Sequence, residues 1–145
     1  MSVNDVTAFS GPLEDRLLIR ERMGAYSDSV FQRDVEAWLA NYVEDGVWIM
    51  MGKPIKGKTA LRAQWQELWA TLDRMAFFVE IGAIQISGEH AKARSYCREI
   101  MHYRNGSTLK VVGMYEDELI RADGVWLFTQ RNYQLLSNEG MSHKR

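Results

Sequence analysis

At 145 residues the chain has the length of one ordinary domain, large enough to bury a real core. Its 46% hydrophobic and 26% charged content is that of a globular protein, and a net charge of −1 argues against a nucleic-acid binder, because phosphate binding needs a basic face. No apolar run approaches the ~20 residues of a membrane-spanning helix, so neither nucleic acid nor a membrane is an expected partner.

Residues 1–12 read as a flexible leader, and Met1 to Ser10 lack the basic and apolar regions of a signal peptide. A first helix is expected from about Pro12, a favourable first-turn residue, to about Gln32. In it Ile19, Met23, Tyr26 and Val30 recur at helical spacing and form one face. Asp34 is placed to cap a short second helix whose face is Val35, Trp38, Leu39 and Tyr42, and Glu44-Asp45-Gly46 ends it. Val47 to Met51 reads as a strand, and Gly52 to Gly57, with Pro54, as a turn-rich return. A third helix follows from about Thr59 to Leu72, with Leu61, Trp65, Leu68, Trp69 and Leu72 on one side.

The period then changes from helical to two. Segments 76–86, 91–104, 108–121 and 125–135 are rich in β-branched and aromatic residues. Ser87-Gly88-Glu89, Asn105-Gly106 and Ala122-Asp123-Gly124 separate them, and Asn-Gly is the strongest of these hairpin signals, because a type I′ turn needs two positive φ angles. Residues 136–145 read as a polar tail, leaving one domain over residues 13–135. The expected fold is α+β: a curved antiparallel sheet wrapped around three helices from the N-terminal half. Such a cone has one open mouth, where a small-molecule pocket forms.

Particular stretches carry a family resemblance. They are Tyr26-Ser27-Asp28-Ser29, Arg33-Asp34, Trp38, Glu44-Asp45-Gly46-Val47-Trp48, Gly57-Lys58-Thr59-Ala60-Leu61, Tyr115-Glu116-Asp117-Glu118-Leu119, Asp123-Gly124-Val125-Trp126 and Arg131. In this order and spacing, over roughly residues 13–135, the chain resembles the SnoaL-like branch of the NTF2-like superfamily, a cystatin-like roll. That group includes scytalone dehydratase, polyketide cyclases, ketosteroid isomerases and the small subunits of ring-hydroxylating dioxygenases, so the fold does not name a reaction. The resemblance implies a homodimer formed through the outer sheet face. It also implies that Phe31, Phe77 and Met101 stand where dehydratase-like members carry an aspartate and two histidines, so that this Asp/His/His set is absent.

With Met101 facing the cavity, strand alternation places Cys97 and Glu99 on the same face. Glu99 is then the leading acid/base candidate, because a carboxylate in an apolar pocket has its charged form disfavoured. Asp117 alternates with Tyr115, whose hydroxyl could orient a carbonyl or bond to Asp117 instead. Arg131 and Tyr133 share a face of the last strand, open either to an anionic substrate group or to an outer contact. The catalytic candidates are therefore Glu99, Asp117 and Tyr115. The candidate pocket residues are Tyr26, Phe31, Tyr42, Trp48, Trp65, Trp69, Phe77, Cys97, Met101, Arg131 and Tyr133.

Gly52-Lys53-Pro54-Ile55-Lys56-Gly57-Lys58-Thr59 matches the phosphate-loop pattern G-x-x-x-x-G-K-[ST]. Nothing after Leu72 reads as helix, so the parallel βαβ units that such a loop needs are missing from the predicted order, and turn and cap roles explain the same residues. His90, His143 and Cys97 lack metal-ligand spacing, and no dinucleotide fingerprint occurs, so no metal and no cofactor is expected. A single cysteine, Cys97, forbids an intrachain disulfide and suits a reducing, cytoplasmic setting. These features lead to a pocket protein for an apolar or aromatic small molecule, either a cofactor-independent isomerase, dehydratase or cyclase, or a non-catalytic ligand-binding or subunit-type module.

Overall fold

The first apolar stripe becomes helix α1, Leu13–Phe31, in the computed structural model, which describes residues 8–143. Pro12 precedes it at φ −57°, and its carbonyl accepts from the Arg16 N–H at 3.0 Å. Ile19, Met23, Tyr26 and Val30 are buried along one side. The helix stops in a Schellman turn: the Asp34 N–H reaches the Ser29 carbonyl at 2.9 Å and the Arg33 N–H reaches the Val30 carbonyl at 3.1 Å. Arg33 takes the left-handed position, at φ 52°, where glycine is usual. Asp34 then accepts from the Ala37 N–H at 3.0 Å and starts α2, Val35–Leu39.

Seven strands form one curved sheet: β1, Phe9–Ser10; β2, Tyr42–Met50; β3, Lys53–Lys56; β4, Leu72–Ser87; β5, His90–Tyr103; β6, Ser107–Ala122; and β7, Val125–His143. Their spatial order is β1-β4-β5-β6-β7-β2-β3. β4 to β7 make an antiparallel meander, while β2 joins β7 in parallel and β1 joins β4 in parallel. Helix α3, Lys58–Thr71, stands between β3 and β4 in the chain. The fold is the α+β cone that the helices-then-meander order implies.

Three expectations need correction. The stretch 1–12 was expected to be a loose leader, but within it β1 pairs with β4, and the Ile84 N–H reaches the Ala8 carbonyl at 2.8 Å; residues 1–7 lie outside the described residues. The polar stretch 136–145 was expected to be a tail, but β7 runs on to His143 against the start of β6. Ladder bonds come from the backbone, so polar side chains do not stop a strand whose neighbour still needs a partner. Residues 144–145 lie outside the described residues. Gly52 to Gly57 is not merely a return: Met51 and Gly52, at φ 49° and 85°, turn β2 into the edge strand β3. Within this fold the sheet curves chiefly over α1, which lies against β4 and β7, whereas α3 covers β2, β3 and the start of β4.

Candidate functional site

Helices α1, α2 and α3 and the inner sheet face enclose a cavity of about 270 Å³. Tyr26 and Val30 of α1, Trp38 of α2, and Trp65, Leu68 and Trp69 of α3 form its helical side. Trp48 and Met50 of β2, Met51, Met75 and Phe77 of β4, and Met101 of β5 add sheet walls. Leu109, Val111 and Tyr115 of β6 and Tyr133, Leu135 and Asn138 of β7 complete it. The rings lock one another: Trp38 and Trp65 lie 4.9 Å apart, Trp65 and Trp69 5.7 Å, and Trp38 and Trp48 5.7 Å edge to face.

One carboxylate, Glu99, interrupts this wall; among the described residues the lining holds no Asp, His, Lys or Arg. Strand alternation brings it there, with Phe77 opposite on β4 and Val111 opposite on β6. Its Oε2 accepts from the Tyr133 hydroxyl at 2.8 Å, and the Cys97 Sγ approaches the same oxygen at 3.8 Å. Burial pushes the Glu99 carboxyl above its ordinary range, more than these two donors pull it down. Burial, with Glu99 adding to it, pushes the Cys97 thiol up to about 12 and raises Tyr133 further. Tyr133 and Cys97 therefore keep their protons, and Glu99 is the member of the trio that titrates. Tyr115 also lines the cavity, and burial holds its hydroxyl well above the ordinary tyrosine range, so it is a donor.

The other carboxylate candidate, Asp117, is placed differently. It faces inward but accepts from the Arg131 Nε at 2.8 Å and Nη2 at 3.0 Å, both side chains being fully buried beneath the cavity. The Arg131 guanidinium stacks on the rings of Tyr115 at 3.9 Å, Tyr26 at 4.3 Å and Phe128 at 4.3 Å. Neither Asp117 nor Arg131 lines the cavity, and Tyr115 does not bond to Asp117. Each carboxylate thus has its own partner, Tyr133 for Glu99 and Arg131 for Asp117.

Of the pocket candidates, Tyr26, Trp48, Trp65, Trp69, Phe77, Met101 and Tyr133 lie on the cavity wall. Phe31, Tyr42, Cys97 and Arg131 do not. Phe31 is 45% exposed and meets Phe78 edge to face at 5.4 Å, because one further helical residue turns it away from the stripe that delivers Val30. Tyr42 is core, packed on Trp38 and Phe128. Cys97 is buried beside Glu99. Wall residues that escaped the sequence reading include Met75, Val111 and Leu109, which alternation from Phe77 and Tyr115 would have found. Asn138 was hidden by the expected tail. His102 contacts Thr108 at 3.2 Å, away from the cavity. Among the described residues no His, Cys, Asp and Glu group could hold a metal. In the stretch 52–59, Lys53–Lys56 is the antiparallel edge strand and Lys58 and Thr59 begin α3, so it is no strand-to-helix phosphate loop of a parallel sheet.

The fold has many solved neighbours. A protein from Novosphingobium aromaticivorans provisionally named an aromatic ring hydroxylase is 25% identical, with a TM-score of 0.83 over 93% of this chain and 96% of that one. A second protein from that organism, provisionally named a scytalone dehydratase, is 20% identical, with a TM-score of 0.81 over 92% of this chain and 89% of that one. A hexachlorocyclohexane dehydrochlorinase is 18% identical, with a TM-score of 0.78 over 92% and 90%. No curated protein matches by sequence. The SnoaL-like domain model matches residues 11–132, and the chain belongs to that family, within the NTF2-like superfamily.

Proposed function

We infer that the cavity binds a neutral apolar or aromatic small molecule and that Glu99 moves a proton on it. The observation that carries this reading is the single carboxylate on a mainly aromatic and aliphatic wall, with its ionised form disfavoured by burial and its carboxylate held by the Tyr133 hydroxyl. A volume of about 270 Å³ lies just below the ~300–1,000 Å³ typical of small-molecule sites, which suits a compact ring system. Glu99, once ionised, takes a proton from an acidified carbon of the substrate. The freed electron pair moves onto a carbonyl oxygen, to which the Tyr115 hydroxyl of the same wall donates, or expels a leaving group. Return of the proton to another carbon gives isomerisation, and delivery to a leaving oxygen gives dehydration. Neighbours named as a dehydratase and a dehydrochlorinase perform eliminations by name, which supports this reaction class. Phe77 and Met101, which the resemblance puts where dehydratase-like members carry two histidines, line the cavity as apolar residues and support a different base; Phe31, the position of the aspartate, lies off the wall. The same reading includes a homodimer through the outer sheet face, a cytoplasmic setting, and no cofactor.

The test is a turnover screen of enolisable cyclic ketones and β-hydroxy or β-halo ring compounds with wild-type protein and Glu99→Gln. Loss of at least a hundredfold in kcat, with Kd changed less than roughly tenfold, is expected. Full activity in Glu99→Gln removes the acid/base role. The mainly aromatic and aliphatic remainder of the wall favours a second reading, a ligand-binding or subunit-type module; saturable binding of such rings without turnover by the wild type selects it.

A further inference from the structure

Glu99 and Tyr133 lie on strands that are not neighbours: β6 runs between β5 and β7. Tyr133 stands opposite Tyr115 on β6, and Glu99 stands opposite Val111. To reach Glu99, the Tyr133 side chain must lean along its own strand and cross β6 at the position between them. That position is Gly113, which pairs with Cys97 on one side and Leu135 on the other. A β-carbon built there falls 2.7 Å from both the Cζ and the hydroxyl oxygen of Tyr133, and closer still to its Cε1. The ring is buried and packed 5.2 Å from the ring of Tyr115 and otherwise borders the cavity, so it makes room only by leaving its place over Gly113. Gly113 is absent from the positive-φ glycines, so the need for glycine here is one of space and not of backbone conformation. A register shift adjoins it: Val112 pairs with Ser137 and Gly113 with Leu135, leaving an extra residue on β7, a bulge that re-aims the strand beside the site.

We propose that Gly113 is a positioning residue for the cavity carboxylate: its missing side chain is the gap through which Tyr133 crosses β6 to hold Glu99. It rests on the reading of Glu99 as the working acid/base group and adds how that group is oriented. A side chain at 113 pushes the ring off the strand, breaks the hydrogen bond to the Glu99 Oε2, and removes a donor that favours the ionised carboxylate.

The experiment needs no substrate. Protein with 13C-carboxyl-labelled glutamate is titrated by NMR, the Glu99 resonance being assigned by its loss in Glu99→Gln. The Glu99 midpoint is expected to rise in Gly113→Ala and in Tyr133→Phe by the same amount, and to rise no further in the double variant. A change of stability alone would leave the midpoint where it is. The proposal is overturned by a wild-type midpoint in Gly113→Ala, or by shifts that add in the double variant. Should Gly113→Ala fail to fold, the pair Gly113→Ala with Tyr133→Ala must restore cooperative unfolding, since the clashing ring is gone; continued misfolding of that pair also overturns it. Failure of the turnover screen leaves the titration result intact, so the two ideas fall separately.

Discussion

Arg131 meets Asp117 through two parallel hydrogen bonds, and this buried ion pair forms a floor beneath the aromatic side of the cavity. The pair stands directly opposite across β6 and β7. The guanidinium carries the rings of Tyr26 and Tyr115, both wall residues, on its faces. Charge is tolerated there because each partner satisfies the other in a bidentate geometry and the rings supply further attraction.

Removing one partner leaves the other charged and buried. Asp117→Ala is therefore expected to cost about 3–5 kcal/mol, read from urea unfolding. Replacing both, as Asp117→Leu with Arg131→Met, should recover most of that loss, because an apolar pair of similar volume avoids the desolvation penalty. A single variant within about 1 kcal/mol of wild type would show that the pair is not what holds this floor.

Glu99 makes stability depend on pH with a definite sign. Its carboxyl is raised in the folded protein, so below the ordinary glutamate value of about 4.3 both states are neutral and nothing is lost. As pH rises past that value the unfolded chain ionises first, and stability falls until the folded Glu99 also ionises, after which it is level. Glu99→Gln lacks this dependence. The difference in urea midpoint, wild type minus variant, should decline through that window and then flatten. A difference that stays constant from about pH 4 upward would mean that Glu99 is solvated like an exposed glutamate.

The outer face of the sheet supplies the surface for the proposed dimer. Arg94, Tyr96 and Arg98 project outward from β5, and Arg98 stands opposite the exposed Phe78 of β4. An apolar ring set beside cationic side chains is a self-complementary patch for a two-fold contact. Light scattering at micromolar concentration should return twice the 16.8 kDa chain mass, and Phe78→Glu should halve it. A wild-type mass of one chain would dispose of the dimer.

Much of the fold is local, and the sequence carries local information well. The α1 stripe from Ile19 to Val30, the Asp34 cap and the turns at Gly88 and Asp123-Gly124 are each set by a few neighbouring residues, and each occurs in the structure. Asn105-Gly106 also turns the chain, but only Gly106, at φ 90°, is left-handed there, and its N–H reaches the Tyr103 carbonyl at 3.0 Å, so the turn is not the expected type I′. Alternation along β5 told only that Cys97, Glu99 and Met101 share a face and that Arg98 and His102 share the other; that the first set is the inward one was a condition the sequence left open. Phe31 shows the limit of that reasoning, since one residue of helical rotation separates the cavity wall from solvent.

What the sequence determined by itself was the order of the three helices and the long strands, and which residues along each share a face, because hydrophobic period and turn chemistry act over a few residues. Only the tertiary structure decided which carboxylate stands free. Asp117 is matched to Arg131 by the β6–β7 register, and Glu99 to Tyr133 by a side chain that crosses an intervening strand at Gly113. The pairing of polar 136–143 with β6 and the edge strand β1 were settled in the same way. Register and bulges depend on backbone bonds between distant segments, and those bonds are made by groups that every residue has in common.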